Sequence, residues 1–352
     1  MPRSFFPAMK LDLAVIGQGA VSPAGFGAQS LHGAEPTPVL TAGQRRPDLA
    51  WPVFRVNLKS PELERWQREP RLRRSSPITF FLIEAAEQAV SDVTPADRAQ
   101  TGLIVAFSAG CLAYSRRFFE AIVKEGQNRA SPALFPETVF NSPGSHVAAA
   151  LKLNGAVYAL VGDESAWAAA LTTASIWLRQ ERVRQVLVLG AEEFDPLVLD
   201  ACRNARWLRN GFTPSEGAAG VLVRPAKPGD ERVIASARDG FIYRTPKEAA
   251  VAAEKLFQTL DCTLPCHPTA DRTWLADVEK KMILHRPSPP DDINPYLGQA
   301  FTASAAWNTL RALSRLSGEI PALNLPLWGL NHQLAAIELT RHAPACETRR
   351  TG

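Results

Sequence analysis

The run Val157-Tyr-Ala-Leu-Val161 is apolar and strand-favouring, breaks at Gly162-Asp163-Glu164-Ser165, and continues as the alanine-rich stretch Ala166 to Leu171. The pattern predicts a strand over 158–161, a corner, and a helix over 166–179. Gln185-Val-Leu-Val-Leu-Gly-Ala-Glu-Glu193 then reads as a second buried strand. A strand, a helix and a strand joined by so long a crossover belong to a parallel sheet covered on both faces, which commits the chain to an α/β architecture. The corner is also a candidate reaction site. It presents one side chain at the amino end of a helix, where unpaired N–H groups and the helix dipole favour negative charge.

With 352 residues, 46% of them hydrophobic and 21% charged, the chain can bury one large core or two fused ones. Leu11 to Gly17 reads as a buried strand ending in a glycine-rich turn, and Thr101 to Ser108 and Asp261 to Cys266 read as further strands. Helical spacing is present over Pro77–Ser91, Arg116–Lys124, Gly144–Leu151 and Lys247–Leu260. Residues 34–62, rich in proline and without period, read as an irregular loop. No apolar run reaches the roughly 20 residues of a membrane span, and no signal peptide is evident. Five cysteines without regular spacing fit a reducing cytoplasm better than a disulfide framework.

Several familiar chemistries are disfavoured by spacing. Gly17-x-Gly19 is followed by Ser22 where a dinucleotide fingerprint needs its third glycine, and Cys262, Cys266 and His267 do not complete a zinc pattern. Neither a cofactor nor a metal is therefore expected. Cys111, among small residues after a strand, reads as packing rather than as a nucleophile. Glu192 and Glu193 sit past the carboxyl end of a strand, where sites collect, but neighbours in an extended chain point to opposite faces and make a poor acid/base pair. The net charge is only +4, yet Arg45, Arg46, Arg65, Arg68, Arg71, Arg73 and Arg74 crowd one early stretch. That stretch is either a solvated loop or a docking surface for an acidic partner. With Trp66 as its one interleaved aromatic and no accompanying motif, nucleic acid is not expected there.

Five further stretches occur in a telling order: Ala20-Val-Ser-Pro23, Ser131-Pro-x-x-Phe-Pro-x-Thr-x-x-Asn141, the corner, Leu189-Gly-Ala-Glu-Glu193, and Gly211-Phe with Ser215-Glu-Gly-Ala-Ala-Gly220. Together they resemble the β-ketoacyl synthases. The resemblance implies an α/β, thiolase-like, five-layered αβαβα fold built from two similar halves, here residues 1–226 and 227–352.

It also implies where the chemistry should be. Active synthases carry a cysteine at the corner, and Leu171, matching a family leucine seven residues on, puts Glu164 in its place. The family's His-Gly-Thr-Gly-Thr loop corresponds to His267-Pro-Thr269-Ala-Asp271, which has lost both glycines. Asn294 and Gln299 stand at the family's lysine and second histidine, and His332 is expected beside the site. Losing a single oxyanion donor costs about 2.7–4 kcal/mol of barrier, and losing the thiolate removes the covalent route. The chain therefore resembles the chain-length factors, silent synthase homologues that pair with an active ketosynthase as a cytoplasmic heterodimer and shape its acyl tunnel. Type II fatty acid or polyketide biosynthesis is implied, with aryl polyene pathways among the candidates. An acyl carrier protein is the implied acidic partner, meeting Arg65, Arg68, Arg71, Arg73 and Arg74. Two other readings stay open. One is an acyl-processing enzyme, either a hydrolase or acyltransferase using Ser165 with His267 or a malonyl decarboxylase using Glu164; the other is a structural homodimer.

Overall fold

A computed structural model of the chain describes residues 8–270, 272–287 and 296–341. The chain opens with β1 (Met9–Ser22), β2 (Gly25–Phe26), β3 (Val39–Ala42), β4 (Ala50–Val53), α1 (Pro61–Gln67), α2 (Pro77–Ala89) and α3 (Pro95–Arg98). It continues through β5 (Thr101–Phe107), α4 (Leu112–Glu125), α5 (Ser142–Leu151), β6 (Val157–Val161), α6 (Ser165–Arg179), β7 (Gln185–Glu192) and α7 (Pro196–Asn204). The remainder is β8 (Gly217–Pro225), β9 (Val233–Ile242), α8 (Pro246–Gln258), α9 (Ala276–Ile283), α10 (Phe301–Arg315), β10 (Ala322–Trp328) and β11 (Gln333–Thr340).

The main strands run in the order β10-β11-β9-β1-β8-β7-β5-β6, with β2 paired to β1. β5 is parallel to both β6 and β7, as the crossover through α6 requires. The other pairings are antiparallel, so the sheet is mixed rather than wholly parallel. Strand periodicity sorts the side chains into layers. On β5, Leu103, Val105 and Phe107 join the core under α2 and α5, while Ile104 and Ala106 turn to the core that contains α6 and α10. On β11, Ala335, Ile337 and Leu339 enter that same central core, and Leu334 and Ala336 face α8. The order is therefore α2/α5, strands, α6/α10, strands, α8/α9, which gives five layers.

The two central helices bury many small residues, together with leucines and the tryptophans Trp167, Trp177 and Trp307. Trp167 and Trp307 are fully buried; Trp167 Nε1 donates to Thr309 Oγ1 at 2.8 Å, and Trp307 Nε1 donates to the carbonyls of Val21 and Ala218 at 3.2 and 3.3 Å. Both buried indoles thus keep their N–H groups satisfied, Trp167 against α10 and Trp307 against the carbonyls of β1 and β8. Truncating either to alanine removes about 3–5 kcal/mol of stability.

Three expectations need correction. The first strand does not end in a turn at its glycines but runs on to Ser22. Gly17 and Gly19 are there for close approach: a Cβ at either would sit 1.9 Å from a carbonyl oxygen of α2, that of Ala89 or Ala85. Residues 34–62 are not wholly irregular, since β3 and β4 pair with each other as a separate two-stranded hairpin. Residues 261–266 do not form a strand. Asp261 Oδ1 accepts from both N and Oγ1 of Thr263, which folds the segment into a turn, and the segment meets β10 at Asn324 alone among the described residues, through an isolated bridge to Cys266 and the carbonyls of Asp261 and Pro265. Among the described residues no helix is long and apolar enough to cross a membrane.

Candidate functional site

The carboxyl ends of β5, β6 and β7 converge on the start of α6 and of α10. Gly162 N donates to Phe107 O at 3.0 Å, and Ser108 Oγ donates to Gly162 O. Glu192, the last residue of β7, accepts from Ser108 N, from Ala109 N at 3.1 Å and from Thr302 Oγ1 at 3.3 Å. Glu193 turns the other way and accepts from Ile78 N at 3.2 Å and Ala113 N at 2.8 Å. Each carboxyl is thus bound by backbone amides of a different loop, and the two do not act on a common point. Burial pushes Glu192 up to about 8 and Glu193 up to about 7.

At the corner, Asp163 does the capping that the sequence left unassigned. Its Oδ1 accepts from Ser165 N at 3.2 Å and from Ser165 Oγ at 2.8 Å, and its Oδ2 accepts from Asn331 N at 2.8 Å. The Ser165 hydroxyl therefore donates to a carboxylate rather than to a histidine. Glu164 is buried, 4% exposed, with Oε2 accepting from Leu330 N at 3.3 Å and Oε1 without a partner. Burial first, then the neighbouring charge of Asp163, raises its carboxyl well above the ordinary range.

His267 is also buried, and its Nδ1 has no partner. Its backbone N donates to Asn324 O at 2.9 Å, fixing the loop on β10. Burial, followed by the charges of Arg315 and Arg311, holds the ring well below its ordinary value, so it is neutral at pH 7. The charged groups acting on His267 belong to the far end of α10 and to His32, whereas those acting on Glu164 are Asp163 and Glu192. No hydrogen bond joins Ser165 or Glu164 to His267 among the described residues.

Gln299 is buried and used by the backbone. Its N donates to Thr213 O at 2.8 Å, its O accepts from Ser215 N at 3.0 Å, and its Oε1 accepts from Phe301 N at 2.9 Å at the start of α10. Asn294 and Asp271 lie outside the described residues. His332 is exposed, its ring edge-on to Tyr243 at 5.5 Å between centroids. A residue that motif reading passed over is Tyr243, fully buried, whose hydroxyl donates to Gly329 O. Glu279, on α9, holds the histidine loop: Oε1 accepts from Thr269 N at 2.8 Å and Oε2 from Ala270 N at 3.0 Å. Nothing in the spacing of Tyr243 marks it, because its partner is a backbone carbonyl 86 residues away.

Three of the cysteines among the described residues are buried. Burial pushes the thiols of Cys111 and Cys202 up to about 12 and that of Cys266 up to about 11. Cys111, at the start of α4, packs among α2 and α5 residues. At the corner the carboxyls of Asp163 and Glu164 are engaged by the amides of Asn331 and Leu330, and the Ser165 hydroxyl by Asp163.

The arginine-rich stretch divides in two. Arg65 is bound to Glu84 Oε2 at 2.6 Å and lies over the Trp66 ring, and Arg68, at the end of α1, pairs with Glu64 at 2.7 Å. Arg71, Arg73 and Arg74 are exposed and make no ion pair among the described residues.

Residues 57–228 match the family described as Beta-ketoacyl synthase, N-terminal domain. Comparison with proteins of curated function finds no match. Among solved structures, the ishigamide ketosynthase/chain length factor superposes with a TM-score of 0.79 at 17% identity, covering 94% of this chain and 99% of that one. A ketosynthase (ApeO) in complex with its chain length factor (ApeC) from Xenorhabdus doucetiae gives 0.73 at 13% identity, covering 94% and 98%. The complex AntDE:AntF, a type II polyketide synthase acyl-carrier protein with its ketosynthase bound to the hexaketide, gives 0.71 at 14% identity, covering 95% and 100%. At these identities the likeness establishes the fold, which is the thiolase-like ketosynthase fold.

Proposed function

We propose, from the β-ketoacyl synthase N-terminal domain that residues 57–228 match, that this chain is a catalytically silent, chain-length-factor-like subunit that pairs with an active ketosynthase in a type II polyketide or fatty acid system. The observation that carries the reading is the corner itself: it keeps the strand-to-helix shape that presents a nucleophile, and the residue it presents is Glu164, buried and engaged with Leu330 N. The proposal treats residues 1–226 and 227–352 as the two halves of the fold.

A partner surface is needed by this reading, and one face suits it. β6 forms the sheet edge, paired only with β5, and leaves Tyr158 and Val161 about half exposed. Through α5 and the turn Phe135–Thr138 this edge adjoins α4, on which Phe119 is 61% and Val123 83% exposed. A monomer gains nothing from a row of exposed aromatic and branched side chains beside an open strand edge. We assign the acyl carrier protein to Arg71, Arg73 and Arg74, which are exposed and make no ion pair among the described residues.

Co-expression with a ketosynthase encoded nearby, followed by co-purification and product analysis with a cognate carrier protein, tests the pairing. The expected result is a stable complex whose product differs in length from that of the ketosynthase alone. A chain that purifies by itself as an active acyl-processing enzyme, with activity lost in Ser165→Ala, contradicts the proposal. Product analysis also distinguishes an aryl polyene from other polyketides. Reversing Arg71, Arg73 and Arg74 to glutamate is expected to weaken carrier-protein binding, and the wild-type contact to weaken as salt is raised. Binding that is insensitive to both would remove these arginines from the interface.

A further inference from the structure

The turn joining β10 to β11 is held at four consecutive residues. Tyr243 Oη donates to Gly329 O, Leu330 N donates to Glu164 Oε2 at 3.3 Å, Asn331 N donates to Asp163 Oδ2 at 2.8 Å, and Tyr243 N donates to His332 O at 3.0 Å. Two adjacent carboxyls at the start of α6 thus grip two adjacent amides of the turn, while Tyr243 grips its ends. The fit is close. A Cβ on Gly329 would lie 2.5 Å from Asp163 Oδ2, and His332 adopts a left-handed φ of 79° to leave the turn.

The two carboxyls are not equivalent. Asp163 accepts from Ser165 N, Ser165 Oγ and Asn331 N, so both of its oxygens are bound. Glu164 has one longer contact and an oxygen, Oε1, buried with no partner. An anion is stable where donors converge and costly where they do not. The groups facing Glu164 reinforce the asymmetry: Asp163 beside it, Glu192 from the end of β7, and the Tyr243 hydroxyl from the segment after β9, with the His332 ring on the exposed side of Tyr243. Both charged neighbours are acidic.

We propose that Asp163 and Glu164 share one negative charge and one proton, the charge on Asp163 and the proton on Glu164, and that the pair is a pH-sensitive latch holding the turn Gly329–His332 on the start of α6. Loss of that proton places a second buried anion next to the first and beside Glu192, and the turn is released. The raised carboxyl of Glu164, caused chiefly by burial, agrees with this. In sign, a folded-state value above the unfolded one makes the latch fully stabilising below the unfolded value and progressively lost as pH rises through the folded one.

The inference concerns the corner on which the silent-subunit reading rests, but it needs no partner, so its failure and the failure of that reading are separable. The test uses the isolated full chain with glutamate labelled by 13C at the side-chain carboxyl. The Glu164 signal is the one missing in Glu164→Gln, and it is expected to keep its protonated position at about pH 7, where surface glutamates have ionised. Thermal melts at about pH 6 and about pH 9 supply a second readout: wild type loses several degrees on going up, and Glu164→Gln loses clearly less. A Glu164 signal that titrates together with the surface glutamates overturns the proposal. So does a Glu164→Gln protein that fails to fold, because an uncharged acid should be replaceable by its amide.

Discussion

At the scale of single residues, the silence we propose for the corner leaves its shape in place. The helix start, the approach of β5 and the amides of the opposite turn all remain, and the side chains spend them on one another. Restoring the nucleophile alone should therefore restore little. Glu164→Cys is expected to give no measurable condensation, because Gln299 is committed to the start of α10 and the His267 ring is buried beneath the basic end of that helix. The measurement is product formation with a loaded carrier protein, and condensation recovered by this one change would show that the rest of the machinery is intact.

At the scale of elements, the exposed face of α4 and the open edge of β6 make a prediction of their own. Replacing Val123 and Tyr158 by glutamate should abolish co-purification with a ketosynthase while shifting the melting temperature of the isolated chain little, since both side chains are about half exposed or more. Retained co-purification would place the partner elsewhere. These elements were also the readable ones. β5, β7 and α6 were legible because a buried strand must be apolar throughout and a central helix is rich in small residues, whereas β6, at the exposed sheet edge, was legible from its unbroken run of strand-favouring residues. The β3–β4 hairpin was not, because it pairs only with itself, exposes Val39 and Leu40, and contains Pro52. The false strand at 261–266 failed for a related reason: its apolar residues are held by an aspartate turn, and side-chain-to-backbone bonding leaves no periodicity. The acid latch was half legible, since Asp163 and Glu164 are adjacent in sequence while Tyr243 and the turn are brought to them only by the sheet.

At the scale of the whole molecule, five buried carboxyls, Asp163, Glu164, Glu192, Glu193 and Glu216, lie in a chain of mutual influence, and Arg55 is bound to the last of them at 2.7 Å. Glu192 at about 8 and Glu193 at about 7 both stand above the unfolded value, so their stabilisation is complete in mild acid and lost as pH climbs through these values. The melting temperature is expected to fall from about pH 5 to about pH 9, and Glu192→Gln to flatten that fall; a melting temperature that rises over this range would contradict the assignment. The central claim, however, is that this chain shapes an acyl chain without carrying it. Intact-mass spectrometry of the purified pair after incubation with acyl-loaded carrier protein measures this most directly. The account predicts that the ketosynthase gains the mass of the acyl group and this chain gains none; a stoichiometric acyl adduct on this chain would contradict it.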